Sequence, residues 1–275
     1  MPKKWRGRCC CSSRRAADAA KQRLAPAGIA PPRDGWSSFR SDGAMTETPG
    51  FTPPLPSAVG DLARRLGARE GPAREAVRLT QAGAMRGEAR ETFRRFSASQ
   101  TIRLDRCAFR WQARTGPLGL VKVTDAFIDG LPTLEVTALG FIPLAHGPGD
   151  ASAARGEIMR YLAELAWAPD AVLRNRTLEW DIVDARRLMV RHGDGAARAE
   201  VELLLDDQGR IGAIFAADRP RYEGGRFVAR PWHGRFFDYR RHAGRWLPFR
   251  AEVAWSIDNR KVTVWRGEIT GWRLD

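Results

Sequence analysis

Apolar residues fall into two rhythms along this chain. In SAVGDLARRLG, residues 57–67, Val59, Leu62 and Leu66 recur at helical spacing. Ser57 is placed to cap a short helix and Gly67 to end it. The period then drops to two. LTQAGAMRGE, FRRFSASQTIRL and CAFRWQAR read as strands, and in the last Phe109, Trp111 and Ala113 alternate with Arg110, Gln112 and Arg114. LGLVKVTDAFIDG and PTLEVTAL follow, joined by Asp129-Gly130, a hairpin signal.

The helical rhythm returns once, from near Ser152 to just before Pro169. Pro169 disfavours helical geometry at the residue before it, so the chain must turn there. Ile158, Leu162 and Leu165 form an apolar stripe. A neighbouring face mixes Glu157, Tyr161 and Glu164 and runs on to Trp167. Seven strand-like segments come after it, beginning TLEWDIVD and ending RKVTVWRGEITGWRL, with turns expected at HAG and at Asp258-Asn259. The pattern predicts an α+β fold: a large curved antiparallel β-sheet, a half-barrel-like meander of about 11–12 strands. One main helix should cover it, with a short N-terminal helix in addition.

Composition refines this picture at the N-terminus. Residues 1–56 lack periodicity and are rich in Pro, Gly and Ser. They are expected to be a disordered basic arm ahead of a single β-rich domain, 57–275. Met45 is the favoured true start, because MTETPGFTPPLPSAVGDLARRLG is the more coherent beginning. Hydrophobic residues make up 43% of the chain and mean hydropathy is −0.41, in keeping with a packed domain plus a polar segment. No window approaches the ~18 apolar residues of a membrane-spanning helix. No apolar stretch follows the basic start, so no secretory signal is expected.

The net charge of +14 invites a nucleic-acid reading. Residues 1–44, however, hold ten Lys or Arg against three Asp, a net of +7, and the remaining net +7 is spread over 231 residues. No aromatic-interleaved basic motif accompanies them, which argues against nucleic acid as the partner. Cys9, Cys10 and Cys11 are contiguous and Cys107 stands alone, so no disulfide framework is expected and a cytoplasmic location fits.

Cofactor motifs are absent. There is no GxGxxG, no GxxxxGK[ST] and no GxSxG, and Gly224-Gly225 in RPRYEGGRF reads as a hairpin. The histidines, His146, His192, His233 and His242, do not cluster at metal-ligand spacing. No cofactor or metal is therefore expected. Glu157 and Glu164 could form an acid–base pair on one helix face; the plainer reading is ion pairing, with Arg160 four residues before Glu164. Trp is the unusual feature. Of ten, Trp111, Trp167, Trp180, Trp232, Trp246, Trp255, Trp265 and Trp272 lie in the body. They either fill a bulky core or line a cavity between a curved sheet and its one helix.

GEIMRYLAELAWAPDAVL (156–173) and PWHGRFFDYRRHAGRWLPFRAEVAW (231–255) resemble the signature segments of a bacterial family of uncharacterised proteins. The resemblance covers roughly residues 57–273 and brings no established activity. At fold level, a helix over a long antiparallel meander is similar to lipoprotein-carrier half-barrels of the LolA and LppX type, which hold acyl chains between sheet and helices. This chain departs from them in showing no signal peptide or lipidation cysteine.

The functional expectation is binding of a hydrophobic or amphipathic, lipid-like small molecule. The candidate site residues are Glu157, Tyr161, Glu164, Trp167, Trp180, Trp232, Arg235, Tyr239 and Trp255. The alternative is an enzyme joining Glu157 and Glu164 to His233, Asp238 or Tyr239. A third option is nucleic-acid binding through the arm.

Overall fold

A computed structural model describes residues 54–70, 74–86, 92–139, 142–147 and 149–275. These lie in one compact unit, 51–275. The expected arm and the start at Met45 fall outside the described residues, apart from 54–56.

Six strands precede the main helix: β1 (Ala76–Met85), β2 (Arg94–Arg103), β3 (Phe109–Thr115), β4 (Val121–Ile128), β5 (Leu131–Ala138) and β6 (Ile142–His146). Seven follow it: β7 (Glu179–Asp184), β8 (Arg187–His192), β9 (Ala199–Leu205), β10 (Ile211–Glu223), β11 (Arg226–His242), β12 (Arg245–Ile257) and β13 (Arg260–Leu274). All belong to one sheet in the order β6-β5-β4-β3-β2-β1-β13-β12-β11-β10-β9-β8-β7, and every pairing is antiparallel. The expected class is observed, with 13 strands in place of 11–12. The strand absent from the sequence reading is β6, IPLAH. Its Pro143 cannot donate to a ladder, and such residues are confined to sheet edges, where β6 lies.

This topology dictates where the helix must go. The chain leaves the sheet at one edge, β6, and re-enters at the other, β7. The intervening segment therefore crosses the sheet. It carries α2 (Ala151–Ala163), a 3₁₀ turn over Glu164–Ala166 and a single turn, α3 (Ala171–Arg174). Asp150 caps α2, its carboxylate accepting from the Ala153 N–H at 3.0 Å, so the helix starts one residue before the expected Ser152. The α-helix tightens at Glu164, five residues before Pro169. Ile158, Met159, Leu162 and Leu165 are buried against the sheet, as the apolar stripe requires. Helix α2 touches β4 and β5 on one half of the sheet and β8, β9 and β10 on the other.

Helix α1 (Ser57–Leu66) buries Val59, Leu62 and Leu66 and ends at Gly67 with φ 72°, a left-handed cap that glycine adopts without penalty. Ser57 is the first helical residue; the N-cap is Pro56 and no side chain caps it, which corrects the expected role of Ser57. The hairpin turns expected at Asp129-Gly130, Gly224-Gly225 and Asp258-Asn259 have both residues at positive φ, and the HAG turn has Ala243-Gly244 likewise. That is the conformation of tight turns matched to strand twist.

Candidate functional site

Helix and sheet do not close on each other completely. A cavity of about 300 Å³ remains between α2 and the inner sheet face. Five indoles line it: Trp111 of β3, Trp167 after α2, Trp232 of β11, Trp255 of β12 and Trp265 of β13. Met85, Val123, Ile214, Phe236, Val253 and Val264 complete an apolar wall. The rings meet edge-on rather than stacked flat: Trp167 lies 5.5 Å from Phe236 and 6.2 Å from Trp265, between centroids. Trp167 is fixed by its Nε1, which donates to the Pro248 carbonyl at 2.9 Å, while its own carbonyl accepts from Trp272 Nε1 at 2.9 Å.

One wall is polar and highly connected. Trp111 Nε1 donates to Gln81 Oε1 at 2.9 Å, and Gln81 Nε2 donates to Gln100 Oε1 at 3.3 Å. Gln100 in turn donates to Glu164, whose other oxygen accepts from Arg160 Nε at 3.0 Å. Arg160 also pairs with Asp125 of β4. Its guanidinium carbon lies 4.8 Å from the Phe109 ring centroid and 5.3 Å from that of Trp111. Burial alone would lower the Arg160 pKa, yet Glu164, Asp125 and Glu157 together hold it above its ordinary value. The plain reading of Arg160 and Glu164 as an ion pair is observed.

Two charged groups stand outside that network. Arg219 of β10 enters the cavity with its guanidinium carbon 4.2 Å from the Trp232 ring centroid and 5.5 Å from that of Trp255. Its Nε donates to the Gly156 carbonyl at 3.2 Å. Burial pulls its pKa below the usual arginine range, against the pull of Glu157. Glu157 has a buried Oε2 with no hydrogen-bond partner. Burial, reinforced by the Asp125 carboxylate, pushes its pKa up to about 8, with Arg219 and Arg160 opposing. Burial also raises Glu164, opposed by Arg160 and Gln100.

Of the nine residues singled out in sequence, Glu164, Trp167, Trp232 and Trp255 line the cavity. Glu157 is electrostatically coupled to its polar wall. Tyr161 is wholly buried elsewhere, its hydroxyl donating to the Arg103 carbonyl at 3.1 Å and accepting from Asn175 Nδ2 at 3.0 Å. Trp180 is half-buried on β7, outside the cavity lining, with its Nε1 lacking a partner. Tyr239 donates to the Ile211 carbonyl at 2.7 Å beneath Arg210. Arg235 alternates with the inward Gly234 and Phe236, so it shares the outer face with His233.

The same alternation places the residues of the enzyme alternative. His233 bonds Ser256 at 2.9 Å on the outer face, and Asp238 is ion-paired with Arg240 at 2.6 Å. Glu164 lines the cavity, and neither His233 nor Asp238 is among its lining residues.

Arg219 is the residue that sequence reasoning missed. Period-two reading from Ile214 and Ala216 points Asp218 inward and Arg219 out. A β-bulge between Ala216 and Arg219 sets Arg219 opposite Arg230 and reverses this. Asp218 instead pairs with Arg155 at 2.7 Å.

Comparison with known proteins gives one family. Its model, described as a family of unknown function (DUF6544), matches residues 45–267. The chain belongs to that family. Both stretches recognised in the sequence lie within the range shared with DUF6544. No curated protein matches. Among solved structures, a LolA superfamily protein from Nitrosomonas europaea is similar at 10% identity and a TM-score of 0.43, over 79% of this chain and 93% of that one. A domain assigned to outer membrane lipoprotein sorting, from Vibrio parahaemolyticus, is similar at 9% identity and a TM-score of 0.44, over 79% and 91%. No helix among the described residues of this DUF6544 member is long and apolar enough to cross a membrane.

Proposed function

We propose that the protein binds a hydrophobic or amphipathic, lipid-like small molecule in the cavity between α2 and the sheet. The observation that carries this reading is the cavity itself: about 300 Å³ of space walled by five indoles on one side and a charged network on the other. That volume is at the lower end of small-molecule sites, which run from ~300 to ~1,000 Å³. Water over indole faces finds few hydrogen-bond partners, so an apolar chain displacing it gains affinity. Each methylene buried contributes about 0.8 kcal/mol. Ten methylenes together contribute about 8 kcal/mol, from which the ordering costs of binding are subtracted.

Glu164 and the three indoles Trp167, Trp232 and Trp255 are the contact residues of this reading. The function is non-enzymatic and needs no cofactor. A cytoplasmic setting, suggested by cysteine usage, belongs to the same proposal. The test is native mass spectrometry of the freshly purified protein, with titration of fatty-acid and alcohol probes followed by Trp emission. Co-purified lipid or a saturable change in emission supports the reading; no lipid and no response together overturn it.

A further inference from the structure

The cavity wall carries Arg160 and Arg219 beside Asp125, Glu164 and Glu252, and one of its guanidinium groups has donors to spare. Arg160 is engaged by Glu164 and Asp125. Arg219 is not: its hydrogen bonding among the described residues is the single contact to the Gly156 carbonyl, which leaves both Nη groups without an acceptor. An arginine seated against indole rings is a strong donor of paired hydrogen bonds, and its fork matches a carboxylate. Trp232, whose ring Arg219 covers, has its Nε1 buried with no partner. Glu157, on the helix opposite, has an unpartnered buried oxygen, and burial, then Asp125, pushes its pKa up.

We propose that the guest enters as an anion: a single-chain amphiphile ending in a carboxylate, its head group on Arg219 and its tail along the Trp-lined wall. This rests on the binding reading above and adds the class of ligand. A carboxylate suits the site better than a more highly charged head group, because Asp125 and Glu164 share the polar wall. An ammonium head would meet Arg219 and Arg160 as like charges. A hydroxyl would leave the Arg219 charge uncompensated.

The test compares dodecanoate, dodecanol and dodecylamine with the full chain by Trp emission at neutral pH and moderate salt. Dodecanoate should bind roughly tenfold or more tightly than dodecanol, with dodecylamine weakest. In Arg219→Gln the advantage of dodecanoate over dodecanol disappears; Arg219→Lys retains part of it. Circular dichroism verifies folding, and if Arg219→Gln does not fold, the wild-type series and Arg219→Lys decide. Equal affinity of wild type for dodecanoate and dodecanol overturns the head-group assignment and leaves the binding reading standing. A carboxylate preference that survives unchanged in folded Arg219→Gln overturns it as well. No binding of any probe, dodecanol included, overturns both.

Discussion

Asp170 receives both Nε and Nη2 of Arg245, at 3.3 and 2.8 Å, in a pair that is almost wholly buried. The same carboxylate accepts the Arg69 backbone N–H at 3.0 Å. One side chain thus ties the segment after α2 to the start of β12 and to the chain leaving α1. Breaking a buried pair strands the surviving charge. Asp170→Asn should lower unfolding free energy by about 3–5 kcal/mol in urea titrations. Asp170→Asn combined with Arg245→Met should recover most of that loss. A loss under about 1 kcal/mol in the single variant would show that the pair is solvent-screened.

Glu157 sets a pH dependence. Its pKa rises from 4.5 to about 8 in the folded chain, mainly through burial and then through Asp125. Between these values the folded state keeps a proton that the unfolded state has released. Stability contributed by the neutral carboxyl is therefore complete at low pH and declines as pH climbs toward about 8. Glu157→Gln, always neutral, should remove this decline. The stability difference between variant and wild type should widen by roughly 1.4 kcal/mol per pH unit from about pH 5.5 to 7.5. Parallel stability curves for the two proteins would show that Glu157 is solvated.

The sheet was readable because its strands announce their faces. Phe109, Trp111 and Ala113 alternate cleanly, and β9 does the same with Ala199, Val201 and Leu203. The hairpins were readable because Asp-Gly, Gly-Gly and Asp-Asn favour positive φ. The site was legible only in part. Trp167, Trp232 and Trp255 could be suspected from indole abundance alone. Arg219 could not, because a bulge is a two-strand event and leaves no period in one strand's sequence. Gln81 and Gln100 were hidden for a related reason: their partnership is set by β1–β2 register, nineteen positions apart.

Gly83 and Gly267 face each other across β1 and β13, where the two halves of the meander join. A Cβ on Gly83 would lie 2.3 Å from the Arg266 carbonyl oxygen, a backbone atom that cannot swing away. On Gly267 it would lie 2.7 Å from the Trp265 ring. The missing side chains let Phe96 and Trp265 approach to 5.8 Å. Gly83→Ala should lower stability by about 1–3 kcal/mol, the usual range for overpacking, and shift Trp emission as Trp265 is displaced. An unchanged urea midpoint would show that the β1–β13 seam has slack.

Val253 tests the cavity from within. It is half-buried on β12 and lines the space between Ala251 and Trp255. Val253→Phe adds a ring where there is room, so stability should change by less than about 1.5 kcal/mol. The same ring takes volume from a cavity of only about 300 Å³, so dodecanol and dodecanoate should both bind at least ~10-fold more weakly. This pattern differs from that of Arg219→Gln, which should abolish the preference for the carboxylate probe. The two variants then separate the apolar and ionic contributions of one space. If Val253→Phe binds both probes as wild type does, the guest lies elsewhere on the sheet.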